Sequence, residues 1–429
     1  MNLDLDPPAA AFRDTVREWL AANVPATALP APDTPAGSAA HREWEARLAG
    51  AGLAAVSWPV EYGGRAAPPL HALLFDEEYF AAGAPVRIGQ NGLFLLAPTL
   101  LAHGTAEQCA RILPPMARGE QVWAQAWSEP SAGSDLAAIR SRARPVDGGW
   151  LLSGQKTWSS RAVVADRAFG LFRSSAGERH RGLTYLMFDL RAPGVTVRPI
   201  EQLDGTAGFA EIFLDDVFVP DADVIGVPGD GWRVAMSTAG HERGLTLRGP
   251  GRFTAAASRL VALAAPVPGP DSADGAATAG GAALPGGAAL PRGADLSGGA
   301  ILSGGAAAAG GAAPPGGADL SGGADLSGGD DLSGALGGRV VDAWIGARAY
   351  RMQAYASLDE PVAPSATKLF WSSLDVALHE TALDLLGPYA EIDSGWTGAY
   401  LFSLAGPIYA GTNEIQRDIL AQRELGLPR

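Results

Sequence analysis

The pattern of hydrophobic and polar positions divides the chain into two helical regions separated by a stretch of short strands. Apolar residues recur at helical spacing over residues 1–120. Between residues 121 and 225, alternating runs such as GLTYLMFDL and AEIFLDDVFVP are separated by turn residues and predict antiparallel strands. Helical spacing returns over 226–265 and 339–429. The pattern therefore predicts an α+β protein with an N-terminal helical domain, a middle antiparallel β-domain and a C-terminal helical bundle.

The two C-terminal helical stretches are separated by a segment of different composition, residues 266–338. It holds 22 of the 56 glycines of the chain, has no aromatic residue, and repeats from Gly280 in hexads such as GGAALP and GGADLS. Two glycines in six residues cost much conformational entropy on ordering, and one small aliphatic side chain per hexad offsets little of it. The composition predicts a disordered low-complexity insertion; the alternative is a small stacked β-solenoid with Leu or Ala pointing inward.

The helix predicted after this insertion, over 339–358, has apolar residues that the helical spacing places on one face. They are Val341, Trp344, Ile345, Met352 and Tyr355. Such a stripe is typical of a helix that buries this face against its neighbours.

Charge and cysteine content exclude several classes of protein. The 429 residues have a net charge of −14, whereas a nucleic-acid partner would require clustered Lys and Arg. The single cysteine, Cys109, excludes an intramolecular disulfide framework and a Cys-rich metal site. No apolar run has the length of a membrane span, and the first residues, MNLDLDPP, are unlike a signal peptide. We therefore expect a cytoplasmic protein with no membrane span, nucleic-acid partner or metal.

Three short motifs contain the candidate chemistry. WSEPSAGSD, which begins at Trp127, forms a turn with free hydroxyls and N–H groups, and GQKTWSS, which begins at Gly154, ends a predicted strand with a large aromatic and two hydroxyls. YAGTNEIQR, which begins at Tyr409, is a turn that opens a helix, where Thr412 or Asn413 can cap the N-terminus. Taken singly, these motifs also fit an ordinary turn, a core tryptophan and a capped helix.

In this order and at these spacings, the motifs resemble those of the acyl-CoA dehydrogenase family, as do WPVEYGG from Trp58 and FLDDVFVP from Phe213. The resemblance covers essentially the whole chain outside the repeats. It implies a helical domain, a β-domain and a C-terminal four-helix bundle, and a flavoprotein that removes hydrogen from Cα and Cβ of an acyl thioester. FAD is the implied cofactor, acyl-CoA or an acyl-carrier thioester the substrate, and electron-transfer flavoprotein or an equivalent the electron acceptor.

The same resemblance implies which residues bind FAD. Trp127 and Ser128 are expected along the edge of the isoalloxazine ring, Ser160 near its reactive nitrogen, and Trp158 over the ring. The positions expected at the adenosine end are Leu386, Gly387, Thr412 and Glu414. For Trp158, the alternative is a core aromatic of the β-domain.

The general base is the most informative position, because the family places it in one of two segments. In one branch a Glu directly precedes the Gly-Thr of the C-terminal motif, and here that residue is Ala410. The other branch, which includes enzymes that resemble isovaleryl-CoA and long-chain dehydrogenases, places Glu before Arg on an earlier helix, which matches Glu242 and Arg243. We expect Glu242 to be the base and the Ala410 N–H to help hold the enolate oxygen. The alternative is that Glu242 and Arg243 only form a solvated helix face.

The implied substrate contacts are Ser134, Arg243 and Tyr409. One family feature is missing: the sequence has no Arg-x-x-Phe-Gly-like segment, which reaches the flavin pyrophosphate across a subunit interface, and the repeats occupy its place. Either a homodimer or homotetramer, or a heteromer with a related subunit, fits the resemblance. Two other functions stay open, a non-catalytic partner subunit and a flavin monooxygenase of the same fold.

Overall fold

The computed structural model describes residues 5–177, 179–243, 249–265, 334–360, 362–392 and 395–428, and of Arg243 only the backbone. Most of the predicted low-complexity insertion, 266–333, lies outside the described residues. The helix that follows begins at Ala335, within the segment predicted to be insertion, because residues 335–338 no longer follow the hexad pattern and Gly337 is already buried.

The N-terminal domain consists of five helices. They are α1 (Pro7–Asn23), α2 (Pro35–Gly50), α3 (Pro69–Ala81), α4 (Ala97–His103) and α5 (Ala106–Ala117), with a π-helical turn, Gly92–Leu96, directly before α4. Local sequence explains several of the starts: Asp6 and Thr34 accept hydrogen bonds from the first turns of α1 and α2, and Thr105 and Gln108 form a capping box on α5. Two apolar cores, around Trp44 and around Leu96, hold these helices together, and the core around Leu96 extends to the β-domain.

The middle domain is one sheet of eight strands. They are β1 (Trp123–Ala126), β2 (Arg142–Val146), β3 (Gly149–Ser160), β4 (Arg167–Arg173), β5 (Leu183–Asp189), β6 (Val195–Ile200), β7 (Phe209–Pro220) and β8 (Val224–Ile225). The order is β6-β7-β3-β2-β4-β5-β8, with β1 paired to β4. Most pairs are antiparallel, as expected, but β4 pairs in parallel with both β1 and β2, so the sheet is mixed. The prediction of an antiparallel β-domain is wrong for these two pairs, because β1 and β2 run in the same direction as β4.

Helices form the rest of the described chain. They are α6 (Gly231–Arg243), α7 (Pro250–Ala264), α8 (Ala335–Ala356), α9 (Pro364–Leu386), α10 (Gly395–Ser403) and α11 (Asn413–Ile419). Helices α7 to α10 share one apolar core, which includes Phe253, Tyr350, Trp371 and Trp396, and they form the C-terminal bundle. The order of helical, β and helical regions agrees with the order predicted from periodicity.

Helix α8 does not bury the face that the sequence pattern indicates. Val341, Trp344, Ile345 and Met352 are exposed, whereas the buried side is lined mostly by small residues such as Ala343 and Ala347. Small side chains let α7 and α9 approach closely, which leaves the bulky residues on the outside. Only Tyr355 of the predicted stripe is buried.

None of the helices in the described part of the chain combines the length and hydropathy that a membrane span requires. Within the same residues, no group of three or more His, Cys, Asp and Glu side chains is arranged to hold a metal ion.

Candidate active site

A buried ion pair fixes the turn that follows β1. Lys156 of β3 is fully buried, and its Nζ lies 2.9 Å from Oε1 of Glu129 in this turn. The same ammonium donates to the carbonyls of Trp127 at 3.2 Å and Leu171 at 2.8 Å. Thr157 donates its N–H to the Ser128 carbonyl at 2.9 Å. Strand β3 therefore determines where Trp127 and Ser128 lie.

The Glu129 carboxylate also organises the far end of the turn. It accepts the N–H of Arg140 at 2.6 Å and that of Ser141 at 2.9 Å. Although burial opposes it, Lys156 and these N–H groups hold the pKa of Glu129 below its usual value. Burial lowers the pKa of Lys156 to about 8 against the opposing effect of Glu129, so both groups are charged at neutral pH.

Trp158 lies on an irregular part of β3 and points outward. The pairing of β3 with β7 shifts register between Lys156 and Ser159, which inserts one extra residue and places Trp158 at φ 57°. Its side chain is 59% exposed, and its indole meets Phe209 edge to face at 6.0 Å. The structure thus excludes the alternative of a core aromatic. A left-handed tryptophan is strained, and such strain is concentrated at functional sites.

A chain of buried side chains connects this face of the sheet to α6. Trp127 Nε1 donates to the Tyr185 hydroxyl at 3.2 Å, and Tyr185 lies 3.2 Å from the Thr238 hydroxyl. Thr238 is in turn 2.7 Å from the hydroxyl of Thr99 in α4. Tyr185, Thr238 and Thr99 are each fully buried. These hydrogen bonds therefore link β5 of the sheet to α6 and to α4 of the N-terminal domain.

Each hydroxyl group has one proton, and this determines which residue donates in each of these hydrogen bonds. Thr99 donates its one hydroxyl proton to the Leu95 carbonyl at 2.7 Å, so Thr238 is the donor in the bond between the two threonines. The alternative acceptor of Thr238, the Val234 carbonyl, is farther away at 3.2 Å. Tyr185 then donates to Thr238 and accepts from the tryptophan.

Glu242 lies at the end of α6, one turn after Thr238, and is half-buried. Burial is the main cause that raises the pKa of Tyr185, and the Glu242 charge raises it further. Glu242 is therefore within electrostatic reach of the chain that ends at Trp127. Its neighbour His241 is half-buried, and burial and then the charge of His103 lower the pKa of His241. The side chain of Arg243 lies outside the described residues.

The C-terminal motif forms the predicted turn and capped helix. Ala410 and Gly411 have φ of 58° and 80°, and Thr412 caps α11 by accepting the N–H of Ile415 at 3.3 Å. Glu414 is exposed in the first turn, where its own backbone N–H is the largest cause that lowers its pKa.

A buried contact ties this turn to the bundle. Lys368 of α9 donates to Oδ1 of Asn413 at 2.6 Å, and Ser372 donates to the same oxygen at 3.0 Å. Gln416 donates to the Ala410 carbonyl at 3.1 Å. Hydrogen bonds from α9 and from Gln416 of α11 therefore fix the position of the left-handed turn.

Aromatic contacts connect the C-terminal turn to the exposed tryptophan of the sheet. Tyr409 stacks with Phe402 at 6.0 Å, and Phe209, the partner of Trp158, packs against the same Phe402. The structure thus brings the predicted residues together in two groups. Trp127 reaches Thr238, one turn before Glu242, through Tyr185, and Trp158 reaches Tyr409 through Phe209 and Phe402. Ser134 and Gly387 are exposed, and Leu386 is half-buried at the end of α9; the described hydrogen bonds and ring contacts join none of these three to either group.

A cavity of approximately 470 Å³ lies between the N-terminal domain and α6. Its walls are predominantly apolar and include Leu93, Phe94 and Leu101, while His241 brings the wall to the residue beside Glu242. A volume in this range is typical of small-molecule sites. The cavity therefore opens the end of α6 to an apolar ligand.

Sequence reasoning missed several residues that build this site. Glu129 and Lys156 lie within the motifs WSEPSAGSD and GQKTWSS. Their opposite charges among small residues were the feature that could have indicated an ion pair. Tyr185 and Thr238 had no signal, because their contact joins a strand to a helix 53 residues away.

The fold and this site define a class, an acyl thioester oxidoreductase with a β-domain between two helical domains. Family models of the N-terminal, middle and C-terminal domains of acyl-CoA dehydrogenases match residues 7–120, 124–217 and 339–425. The chain is also 36% identical to acyl-CoA dehydrogenase IpdE1 of Mycobacterium tuberculosis, with 97% of both chains covered. The chain therefore belongs to the acyl-CoA dehydrogenase family, a family of flavoproteins, and catalyses dehydrogenation of an acyl thioester.

Solved structures share the same fold. The ChsE4–ChsE5 complex from Mycobacterium tuberculosis matches with a TM-score of 0.73 at 23% identity, over all of both chains. A glutaryl-coenzyme A dehydrogenase in complex with glutaryl-CoA matches with a TM-score of 0.71 at 20% identity, over 100% of this chain and 98% of that one. These matches confirm the three-domain architecture.

Proposed function

We propose that Glu242 is the general base that removes the α-proton of a bound acyl thioester. The observation that carries this proposal is the position of Glu242. Its neighbour His241 lines the apolar cavity, and the charge of Glu242 raises the pKa of Tyr185 at the β-domain face. An apolar ligand in the cavity would displace water from the end of α6, which strengthens a carboxylate as a base. Ala410, at the other position where the family places a base, has no side chain that could take a proton.

The β-domain face fits a flavin ring. A strained and exposed Trp158 offers a flat apolar surface, and the ion pair of Lys156 with Glu129 fixes the adjacent turn. We assign Trp127, Ser128, Trp158 and Ser160 to the isoalloxazine end of FAD, and Leu386, Gly387, Thr412 and Glu414 to the adenosine end. When bound, FAD supplies the acceptor for the β-hydride.

The remaining assignments concern the thioester. Ser134, Arg243 and Tyr409 contact the substrate in this proposal, and the Ala410 N–H stabilises the enolate oxygen that develops as the α-proton leaves. Support for Tyr409 comes from its contact with Phe402, which reaches the tryptophan face of the sheet through Phe209. The substrate is an acyl-CoA or acyl-carrier thioester, and electron-transfer flavoprotein or an equivalent accepts the electrons.

The chain also presents a surface for a second subunit. The outer face of α8 exposes Val341, Trp344, Ile345 and Met352, and even the least exposed of them, Trp344, is 41% accessible. Contiguous apolar surface of this kind marks a protein interface. We propose that a second copy or a related subunit covers it; the heteromeric complex named above is one example of such an assembly in this fold.

The test is anaerobic reduction of the protein-bound flavin by a panel of acyl-CoAs, followed by absorbance. We expect bleaching with the native protein and a decrease in rate of about 10²- to 10⁴-fold in Glu242→Gln. The matched control is Glu18→Gln, which changes an exposed carboxylate on α1 and should keep the native rate.

Three results would overturn the proposal. Bleaching at the native rate in Glu242→Gln would exclude this residue as the base. A purified chain that binds no flavin would indicate a non-catalytic partner subunit. Oxygen-dependent hydroxylation that is insensitive to the substitution would indicate a monooxygenase.

A further inference from the structure

The cavity beside α6 contains polar side chains of two kinds. Some have their hydrogen-bonding capacity used within the protein: Arg87 pairs with Glu45 at 2.8 Å and donates to the Ala54 carbonyl, and the Tyr79 hydroxyl donates to the Pro85 carbonyl at 2.6 Å. These groups hold the wall together. They have little capacity left for a ligand.

Asp76 and Gln90 belong to the second kind. Asp76 accepts one hydrogen bond, from the Gly251 N–H to Oδ2 at 2.7 Å, although a carboxyl group has about four lone-pair sites. Gln90 is only 6% exposed, and within the residues that the structure describes its side-chain amide makes no hydrogen bond. Both side chains line the cavity. Polar groups with unused capacity in an apolar wall are what a ligand recognises.

The bond to Gly251 fixes the Asp76 carboxyl before any ligand binds. It satisfies an N–H in the first turn of α7, whose own N-cap residue Gly249 provides no side-chain bond. A Cβ at Gly249 or at Gly251 would overlap Asp76, so glycine at both positions permits the close approach. A carboxyl group held in this way loses little further entropy when a ligand binds.

Its surroundings determine which ligand group the carboxyl suits. Burial raises the pKa of Asp76 to about 7, so near neutral pH the group is present both as acceptor and as donor. A charged ligand group would be desolvated in an apolar cavity at a high cost. A hydroxyl group avoids that cost and can both donate and accept.

We propose that Asp76 is a specificity-determining residue that hydrogen-bonds to a hydroxyl group on the acyl portion of the substrate. Gln90 is the second polar group of the same wall. With approximately 470 Å³, the cavity lies within the size range of small-molecule sites and can take a bulky acyl group. The substrate class is therefore a bulky, largely apolar acyl thioester that carries a hydroxyl. This inference rests on the proposed function.

The test measures binding without turnover. Calorimetry on flavin-loaded Glu242→Gln protein compares matched pairs: decalin-propanoyl-CoA with its ring-hydroxylated isomers, and dodecanoyl-CoA with ω-hydroxydodecanoyl-CoA. We expect the dissociation constant of at least one hydroxylated ligand to be about 10- to 100-fold lower than that of its partner. Adding Asp76→Leu should reduce this preference to within about threefold, whereas Asp76→Asn, which keeps an oxygen and an N–H for a hydroxyl group, should retain most of it.

Asn at position 76 still offers an oxygen to the Gly251 N–H, so the variant keeps the contact with α7. The matched control is Glu78→Gln on the same helix, which changes an ion pair with the exposed Arg17 and should keep the native preference. Absence of any hydroxyl preference in the protein with Asp76 would overturn the inference, as would a hydroxyl preference that Asp76→Leu retains.

Failure of the proposed function would show in a separate measurement. If unsubstituted acyl-CoAs bleach the flavin of the native protein but no hydroxyl preference exists, only the inference about Asp76 is wrong. If no acyl-CoA of either kind bleaches it, the proposed reaction itself is wrong.

Discussion

The β-domain face and the helical cavity meet at the end of α6, but they differ in how fully their buried polar groups are hydrogen-bonded within the protein. At the face, Glu129 accepts three N–H donors and Lys156 donates to three oxygens. In the cavity, Asp76 accepts one hydrogen bond and Gln90 has capacity left over. The face therefore has a fixed shape, whereas the cavity keeps polar groups available.

Under the proposed function, this difference corresponds to what the two surfaces bind. A flavin ring is the same in every turnover, so its wall can use buried polar groups such as Glu129 and Lys156 to stay rigid. An acyl group is recognised by its substituents, so its wall needs groups that only the substrate satisfies. The proposed function thus assigns the cofactor to the first surface and the acyl group of the substrate to the second.

The largest expected effect is on the rigid side. Lys156→Met would leave Glu129 as a buried carboxylate with no cation beside it, which costs about 3–5 kcal/mol of unfolding free energy. Flavin affinity should fall as well, because the turn of Trp127 and Ser128 is no longer held. Urea unfolding at neutral pH and equilibrium flavin binding measure the two effects.

The double variant Lys156→Met, Glu129→Gln is the control for this prediction. A neutral amide at position 129 removes the uncompensated charge and still accepts a backbone N–H, so much of the stability should return. A loss below about 1 kcal/mol in Lys156→Met would show that the face is not held by this pair.

The second expected effect tests whether the cavity surrounds Asp76 with apolar groups. In the folded protein the pKa of Asp76 is about 7, above the ordinary value of 3.8 for a solvated aspartate, so the folded state holds the proton more tightly. The resulting stability is fully present below pH 3.8 and is lost as the pH rises through about 7. Asp76→Asn has no such proton, so the variant should gain stability relative to the native protein over this range.

Unfolding free energies at about pH 5 and about pH 8 should show this gain as an increase on the order of 2–4 kcal/mol in the difference between variant and native protein. Glu78→Gln is again the control and should give a smaller pH dependence. If the difference between Asp76→Asn and the native protein does not change with pH, the carboxyl is well solvated and the contrast between the two walls disappears.

Much of the fold could be predicted from sequence, because local patterns determine it. Periodicity indicates the order of helical and strand regions, and Thr412 caps α11 as its position predicts. The motif that contains Trp158 is recognisable in the chain. Its positive φ and exposure are not, since both follow from a register shift against β7.

The cavity could not be predicted, because it depends on contacts between residues far apart in the chain. Asp76 meets Gly251 across 175 positions, and neither residue belongs to a motif. Helix α8 illustrates the same difficulty, since its apolar stripe indicated burial and small alanines decided the packing instead. Helical spacing shows that a face is apolar, but not which neighbour or subunit covers it.

The smallest expected effect concerns Thr238, where the two regions meet. Thr238→Val keeps the shape but removes the hydroxyl that accepts from Tyr185 and donates to Thr99. We expect a loss of about 1–2 kcal/mol in unfolding free energy and a decrease of severalfold in the rate of flavin reduction, because Glu242 lies one turn farther along α6. Thr238→Ser keeps the hydroxyl and serves as the control.

The rate is the decisive readout for Thr238, because a purely structural hydroxyl would change stability alone. If Thr238→Val lowers stability but reduces flavin at the native rate, the polar chain holds the domains together without positioning the base. If the rate falls in Val and is retained in Ser, the rigid face acts on Glu242 through this hydroxyl. The hydrogen-bonded chain from Trp127 to Thr99 would then be the element by which the β-domain face sets the position of the base at the edge of the cavity.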